Sequence, residues 1–299
     1  MKLRLGFPYT APRTPGGVEP VARKARYGAN YDSSWAREQP ARYARFFIVE
    51  GPMRLAVRAI ASPSRRGLDR VEGIDGPAIF AANHHSHVDA PLLLTSIPEP
   101  FRHRLVVAAA ADYFFPNRIG STFSALAMGA FPIDRARVSR RSADQAAELL
   151  DEGWSLLIFP EGGRSPDGWG QGHRGGAAYL AIKTGVPVVP VHLEGTGRIY
   201  ARGDKKPRPG STTITFGAPL WPAEDDDARR FAPRIEAEVA ALADEARTDW
   251  WTARRRAATG SSPPLTGPET TSWRRTWALG DRRTPLRRTS PADRRWPDR

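Results

Sequence analysis

Between positions 83 and 91 the chain reads NHHSHVDAP, which puts three of its six histidines within four positions, just ahead of an aspartate. Imidazole has an ordinary pKa near neutrality, and a carboxylate on one ring nitrogen fixes the tautomer and leaves the other nitrogen as a base. His84 and Asp89 are five residues apart. On a continuous helix that spacing leaves side chains about 140° out of register, and on a continuous strand an odd spacing sends them to opposite faces. A strand that ends near Asn83 and turns into a helix near Asp89 would let both side chains face one cleft. The flanking residues suit this: AIFAA precedes the motif, and Pro91 is tolerated in the first turn of a helix running on through LLLTSI. A base so placed can take the proton from an attacking hydroxyl, a contribution of about 10² to 10⁴ in rate.

Two other readings of these residues stay open at this point. Asp89 can be a plain helix N-cap, with the histidines as polar turn residues. His85, Ser86, His87, Val88 and Asp89 also spell HxHxD, which resembles the ligand run of metallo-β-lactamase-type hydrolases. There a further histidine usually follows the aspartate, and here Ala90 holds that place. His103, His173 and His192 are scattered without metal-ligand spacing, so no metal is expected.

The elements that must position these groups follow from hydrophobic pattern. Short apolar runs at 78–82, 105–109, 131–133, 155–159, 186–193 and 212–216, several of them β-branched and bounded by Gly or Pro, read as buried strands. Residues 142–152, 175–184 and 228–247 have helical spacing and good helix formers. Strands alternating with helices predict an α/β fold with a mostly parallel or mixed central sheet flanked by helices, whose chemistry gathers beyond the carboxyl ends of strands. Upstream, residues 35–60 have a helical pattern that Gly51 and Pro52 break in two. This segment reads first as a helix packed on the core and second as one lying on a membrane surface.

Composition sets the boundaries. Residues 1–33 form an irregular arm rich in Pro, Gly and Arg, residues 34–250 a single catalytic domain, and residues 251–299 an Arg/Pro-rich tail expected to be disordered. The net charge is +13, and residues 253–299 hold twelve arginines against Glu269, Asp281, Asp293 and Asp298, so the tail carries about +8 of it. With no cysteine, thiolate zinc sites, disulfides and a cysteine nucleophile are excluded. The basic start, MKLRLGFPYTAPRTPGG, lacks the apolar core of a secretory signal, and no apolar run approaches the roughly 20 residues of a spanning helix. A cytoplasmic protein is expected, with any membrane contact at the surface.

Three further blocks stand at strand ends or within strands: GAFPIDR (129–135), FPEGGRS (159–165) and VPVVPV (186–191). The guanidinium of Arg135 offers a planar fork for two phosphate oxygens. In FPEGGRS, Gly162 and Gly163 let the backbone approach a ligand closely, while Glu161, Arg164 and Ser165 supply an acceptor, a phosphate fork and a hydroxyl. Taken alone, each block also reads as a surface ion pair or a turn-rich loop. With NHHSHVD, the four in this order resemble the motifs of the glycerolipid acyltransferases, the bacterial 1-acylglycerol-3-phosphate O-acyltransferase type, over about residues 68–220.

That resemblance implies a general-base pair of His84 and Asp89 and an acceptor-phosphate site of Arg135, Glu161, Gly162, Arg164 and Ser165. It implies an acyl thioester donor, either acyl-CoA or acyl carrier protein, a lysophospholipid acceptor, and no cofactor. No GxSxG elbow of a serine acyl-enzyme occurs. Gly163 replaces the family's usual Thr, and His173 stands before Arg174 where an aromatic residue is common, so the acceptor is less defined than the chemistry. Lysophosphatidic acid is the default, with another lipid or glycolipid as the alternative. A peripheral position on an anionic membrane, at its inner face, is expected from the basic tail and the 43–60 segment. A nucleic-acid-binding role for the tail, with Trp273, Trp277 and Trp296 stacking on bases, explains nothing in residues 83–191 and is not expected.

Overall fold

The computed structural model describes Gly28, residues 31–133 and residues 140–268. Seven strands form one sheet: β1 (Pro63–Arg66), β2 (Ile79–Ala82), β3 (Leu105–Ala110), β4 (Ala130–Ile133), β5 (Ser155–Ile158), β6 (Val188–Glu194) and β7 (Thr212–Phe216). Their spatial order is β1-β7-β6-β2-β5-β3-β4. Every neighbouring pair is parallel except β6 and β7, so β1 and β7 run against the other five and the sheet is mixed.

The central strands are covered on both faces. In β2, Ile79 and Ala81 pack into one apolar cluster while Phe80 and Ala82 pack into the other, and all four are fully buried. This is why the run reads as continuously apolar instead of alternating. One layer is built from α1 (Ala41–Ile48), α2 (Arg54–Ala61), α3 (Asp89–Ser96) and α5 (Arg118–Met128), with the single turn α4 (Ala111–Phe114) leading into α5. The opposite layer comprises α6 (Arg140–Asp151), α7 (Gly176–Thr184) and α9 (Ala228–Arg247); the short α8 (Thr196–Ile199) follows β6. Gly51 and Pro52 do not break the early helical pattern in two: the backbone stays helical from Ala41 to Ala61 and only widens to π geometry at Val49–Met53. The segment packs on the core through Val49, Val57 and Ala61, which are buried, whereas Tyr43, Phe46, Phe47 and Leu55 are exposed.

Three other expectations change. Strand β1 and helix α5 were not anticipated from the pattern. The tail does not begin at residue 251: α10 (Trp250–Ala258) continues the domain, held to α9 by Arg254 on Glu238 at 2.7 Å and Arg256 on Asp244 at 2.8 Å. Its buried apolar contact is small, Ala253, and ion pairs supply what periodicity could not reveal. The chain then returns to the sheet layer, where the Leu265 carbonyl accepts the N–H of Gly170 at 2.9 Å. Residues 269–299 and most of the N-terminal arm lie outside the described residues, as do Asp134 and Arg135.

Candidate active site

Strands β2 and β5 are neighbours, and both end at the same edge of the sheet. Asn83 terminates β2 in an unusual way: its amide nitrogen donates to the Leu193 carbonyl at 3.0 Å and its amide oxygen accepts the Leu193 N–H at 2.7 Å. The backbone then leaves the sheet and reaches α3 at Asp89. As the spacing argument required, neither helix nor strand spans the interval, and the His84 Nδ1 lies 2.8 Å from Asp89 Oδ2.

Asp89 is fully buried, and the same Oδ2 accepts the backbone N–H groups of His85 and Ser86, each at 2.7 Å. Asp89 is not the N-cap of α3: Val88 holds that place without a side-chain cap, and the carboxylate, inside the first turn, binds the preceding loop and orients the imidazole. With Oδ2 accepting from Nδ1, that ring nitrogen carries the proton of the neutral imidazole and Nε2 is left as the acceptor. The ring itself lies stacked on Phe159, the first residue after β5.

The loop after β5 is bound to the loop after β2 through Glu161. Its Oε1 accepts the His84 N–H at 2.9 Å and its Oε2 accepts the Gln171 N–H at 2.9 Å. In return the Ser165 N–H donates to the His84 carbonyl at 2.8 Å, and Ser165 Oγ accepts the Gly168 N–H at 2.7 Å. Glu161 and Ser165, expected as direct acceptor contacts, are buried and occupied by backbone groups instead. A polar residue type shows what a group can bond to, and here the nearest unsatisfied groups were those of two irregular loops. Burial pushes the Glu161 carboxyl up to about 7, against the lowering effect of its two backbone donors.

The cations stand around this scaffold. Gly162 adopts φ +73°, closing a turn in which its N–H donates to the Phe159 carbonyl at 3.0 Å. A Cβ there would lie 2.8 Å from the Arg174 guanidinium, a flexible side-chain end that can shift, so it is the positive φ of the turn that calls for glycine. The Arg164 guanidinium lies 5.5 Å from the ring centre of Tyr113, and its Nη1 is buried without a hydrogen-bond partner among the described residues. Tyr113 also stacks on His87 with centroids 5.4 Å apart. Burial, then the nearby Arg164 and His84, hold the His87 pKa below its ordinary value, which keeps that ring neutral. Tyr113 was not anticipated, although it follows the carboxyl end of β3, the edge where chemistry was expected. Arg135, two residues past the end of β4, lies outside the described residues.

Among the described residues, the histidines and acids of this site do not form a cluster whose ligand atoms could share one ion. The single such cluster, Glu50, Glu99 and His103, lies elsewhere, with Glu50 already paired to Arg102 at 2.7 Å.

Residues 60–194 match the family model described as Acyltransferase. The chain is 35% identical over 166 residues to the 1-acyl-sn-glycerol-3-phosphate acyltransferase of Chlamydomonas reinhardtii, a match covering 54% of this chain and 47% of that one. It is 36% identical over 141 residues to a chloroplastic 1-acyl-sn-glycerol-3-phosphate acyltransferase of Arabidopsis thaliana, covering 46% and 38%. The chain thus spans about half the length, or less, of these relatives. In fold it is similar to the crystal structure of the 1-acyl-sn-glycerophosphate acyltransferase of Thermotoga maritima, with TM-score 0.56, 23% identity and coverage of 73% of this chain and 84% of that one. The matched segment opens just before β1 and closes with β6, enclosing every one of the site residues described above, and over that segment the chain is similar to the acyltransferases.

Proposed function

We propose that this protein is an O-acyltransferase that moves a fatty acyl chain from a thioester to a hydroxyl of lysophosphatidic acid or a related phosphorylated glycerol. The observation that carries the reading is the His84 to Asp89 hydrogen bond of 2.8 Å at the mouth of β2, with Asp89 sealed from solvent. In the proposed step the acceptor oxygen attacks the thioester carbonyl carbon while His84 Nε2 takes the hydroxyl proton. The tetrahedral adduct collapses with cleavage of the carbon–sulfur bond, and the proton passes to the departing sulfur, leaving an ester and a free thiol. The balance needs no acyl-enzyme, metal or cofactor. Acyl-CoA or acyl carrier protein would serve as donor.

Arg164 is the best-placed phosphate ligand, since a buried guanidinium nitrogen without a partner is costly until an anion satisfies it. Arg174 adds positive charge behind Gly162. Among the described residues no helix is long and apolar enough to cross a membrane. The exposed Tyr43, Phe47, Leu55, Ile119 and Phe123 are distributed over α1, α2 and α5, all in one layer, and favour peripheral contact with a bilayer. The basic tail of the sequence favours an anionic one.

The test incubates purified protein with labelled acyl-CoA and a panel of lysolipids, comparing wild type with His84→Ala. Product with lysophosphatidic acid and a loss of at least about 10²-fold in the variant are expected. Wild-type protein that acylates no member of the panel would end the reading.

A further inference from the structure

The residues after α10 lie outside the segment that matches the family, and they end up against the loop that fixes His84. The Leu265 carbonyl holds the Gly170 N–H at 2.9 Å. Gly267 presses so closely on the Trp169 indole that a Cβ added to it would stand 2.3 Å from ring atom Cδ2. The next residue, Gln171, gives its backbone N–H to Glu161 Oε2, and Glu161 Oε1 receives the N–H of His84. The Gln171 side chain lies 3.4 Å from each of the Gly163 and Arg164 carbonyls. The same segment roofs a cavity of about 50 Å³ whose floor includes Asn83 and His85, the residues on either side of His84.

We infer that residues 261–267 form a strap that positions the catalytic histidine, acting through Trp169, Gly170, Gln171 and Glu161 in turn. The strap has nothing of its own to contribute to bond making. It acts by holding one irregular loop, which has no ladder of its own, at the distance where Glu161 can span two backbone donors. Its own anchorage is α10, whose two ion pairs to α9 tie it to the far layer of the sheet. The site is thus completed from outside the 60–194 segment, and the inference rests on the transferase reading above.

The experiment uses the full chain carrying Gly267→Leu or, separately, Leu265→Ala, with Arg255→Ala on the exposed side of α10 as a control. Acyl transfer from acyl-CoA to lysophosphatidic acid is measured together with amide hydrogen exchange of the peptides spanning 83–88 and 161–171. Gly267→Leu should lower kcat about tenfold with donor KM within about twofold, while both peptides exchange at least about tenfold faster and those of β2 and β6 keep their rates. Leu265→Ala should do the same to a smaller degree. Unchanged exchange in both site peptides overturns the strap, as does acceleration that spreads equally to β2 and β6. Because exchange is read without turnover, an inactive wild type would sink the transferase reading and leave the strap to be judged on its own.

Discussion

The imidazole of His84 lies flat against the ring of Phe159, with centroids 4.1 Å apart and planes inclined by 19°. Asp89 fixes one ring nitrogen, and Phe159 fixes the plane in which the other points. Stacked rings of this kind are worth about 0.5 to 1.5 kcal/mol, so Phe159→Ala should lower kcat by about 2- to 12-fold at saturating donor and acceptor. Phe159→Tyr should retain most of the rate. Steady-state turnover equal to wild type in the alanine variant would leave the stack without a role.

Arg164 should act on the acceptor and hardly at all on the donor. A hydrogen bond to a charged group contributes about 1.5 to 3 kcal/mol, so Arg164→Ala should lower kcat/KM for lysophosphatidic acid by about 10- to 150-fold. The KM for the thioester should stay close to wild type. Lysine keeps the charge but loses the fork, and Arg164→Lys should recover only part of the difference. If the donor KM rises instead, the guanidinium faces the wrong substrate.

Glu161 gives stability a pH dependence of unusual sign for a carboxylate. Its ordinary pKa is 4.5 and burial raises the folded value to about 7. Between those limits the native state binds more protons than the unfolded chain, so this group's contribution to stability falls as pH rises through the window, by up to about 3 kcal/mol. Above about pH 7 the loss is complete and the contribution is level. Glu161→Gln cannot titrate, so its stability relative to wild type should improve steadily from pH 4.5 to 7.5. Urea midpoints across that range measure it, and a difference that does not vary with pH would refute the raised value.

The apolar exposure of α1 and α5 makes a prediction about vesicles. Phe47 is 69% exposed and Ile119 is 84% exposed, and neither has a partner in the core to justify it. Fully burying such a side chain is worth about 1.5 to 3 kcal/mol, so the double variant Phe47→Ser, Ile119→Ser should bind phosphatidylglycerol-containing vesicles at least about tenfold more weakly. Sedimentation identical to wild type would remove these helices from the membrane contact, and equal binding to neutral and anionic vesicles would remove the charge.

Much of this architecture was legible because its signals are local. The run IFAA is apolar on both faces, and the strand it forms is covered on both. The odd spacing of His84 and Asp89 demanded a strand-to-helix turn, and one is present. What escaped notice depends on distant partners. Glu161 looks like a ligand in the sequence FPEGGRS, yet its oxygens are filled by His84 and Gln171, whose backbones have no ladder to satisfy them. Residues 259–268 read as part of the disordered tail because nothing in them foretells that Trp169 and Gly170 offer a surface to lie on. β1, with the sequence PSRR, is largely exposed along an edge and carries no apolar signature at all.

Asn83 has a consequence that reaches beyond its own two hydrogen bonds. A carboxamide presents one donor and one acceptor in a plane, the same pair a peptide unit offers, and Asn83 lays it on Leu193 as a counterfeit rung. The true main chain is released from β6 a step early, free to curl toward the aspartate. Aspartate would match the shape but lack the donor, and glutamine would supply the donor one methylene too far out. The first letter of NHHSHVD is in this sense a gauge: its reach sets how soon the sheet lets go, and hence where the second letter stands.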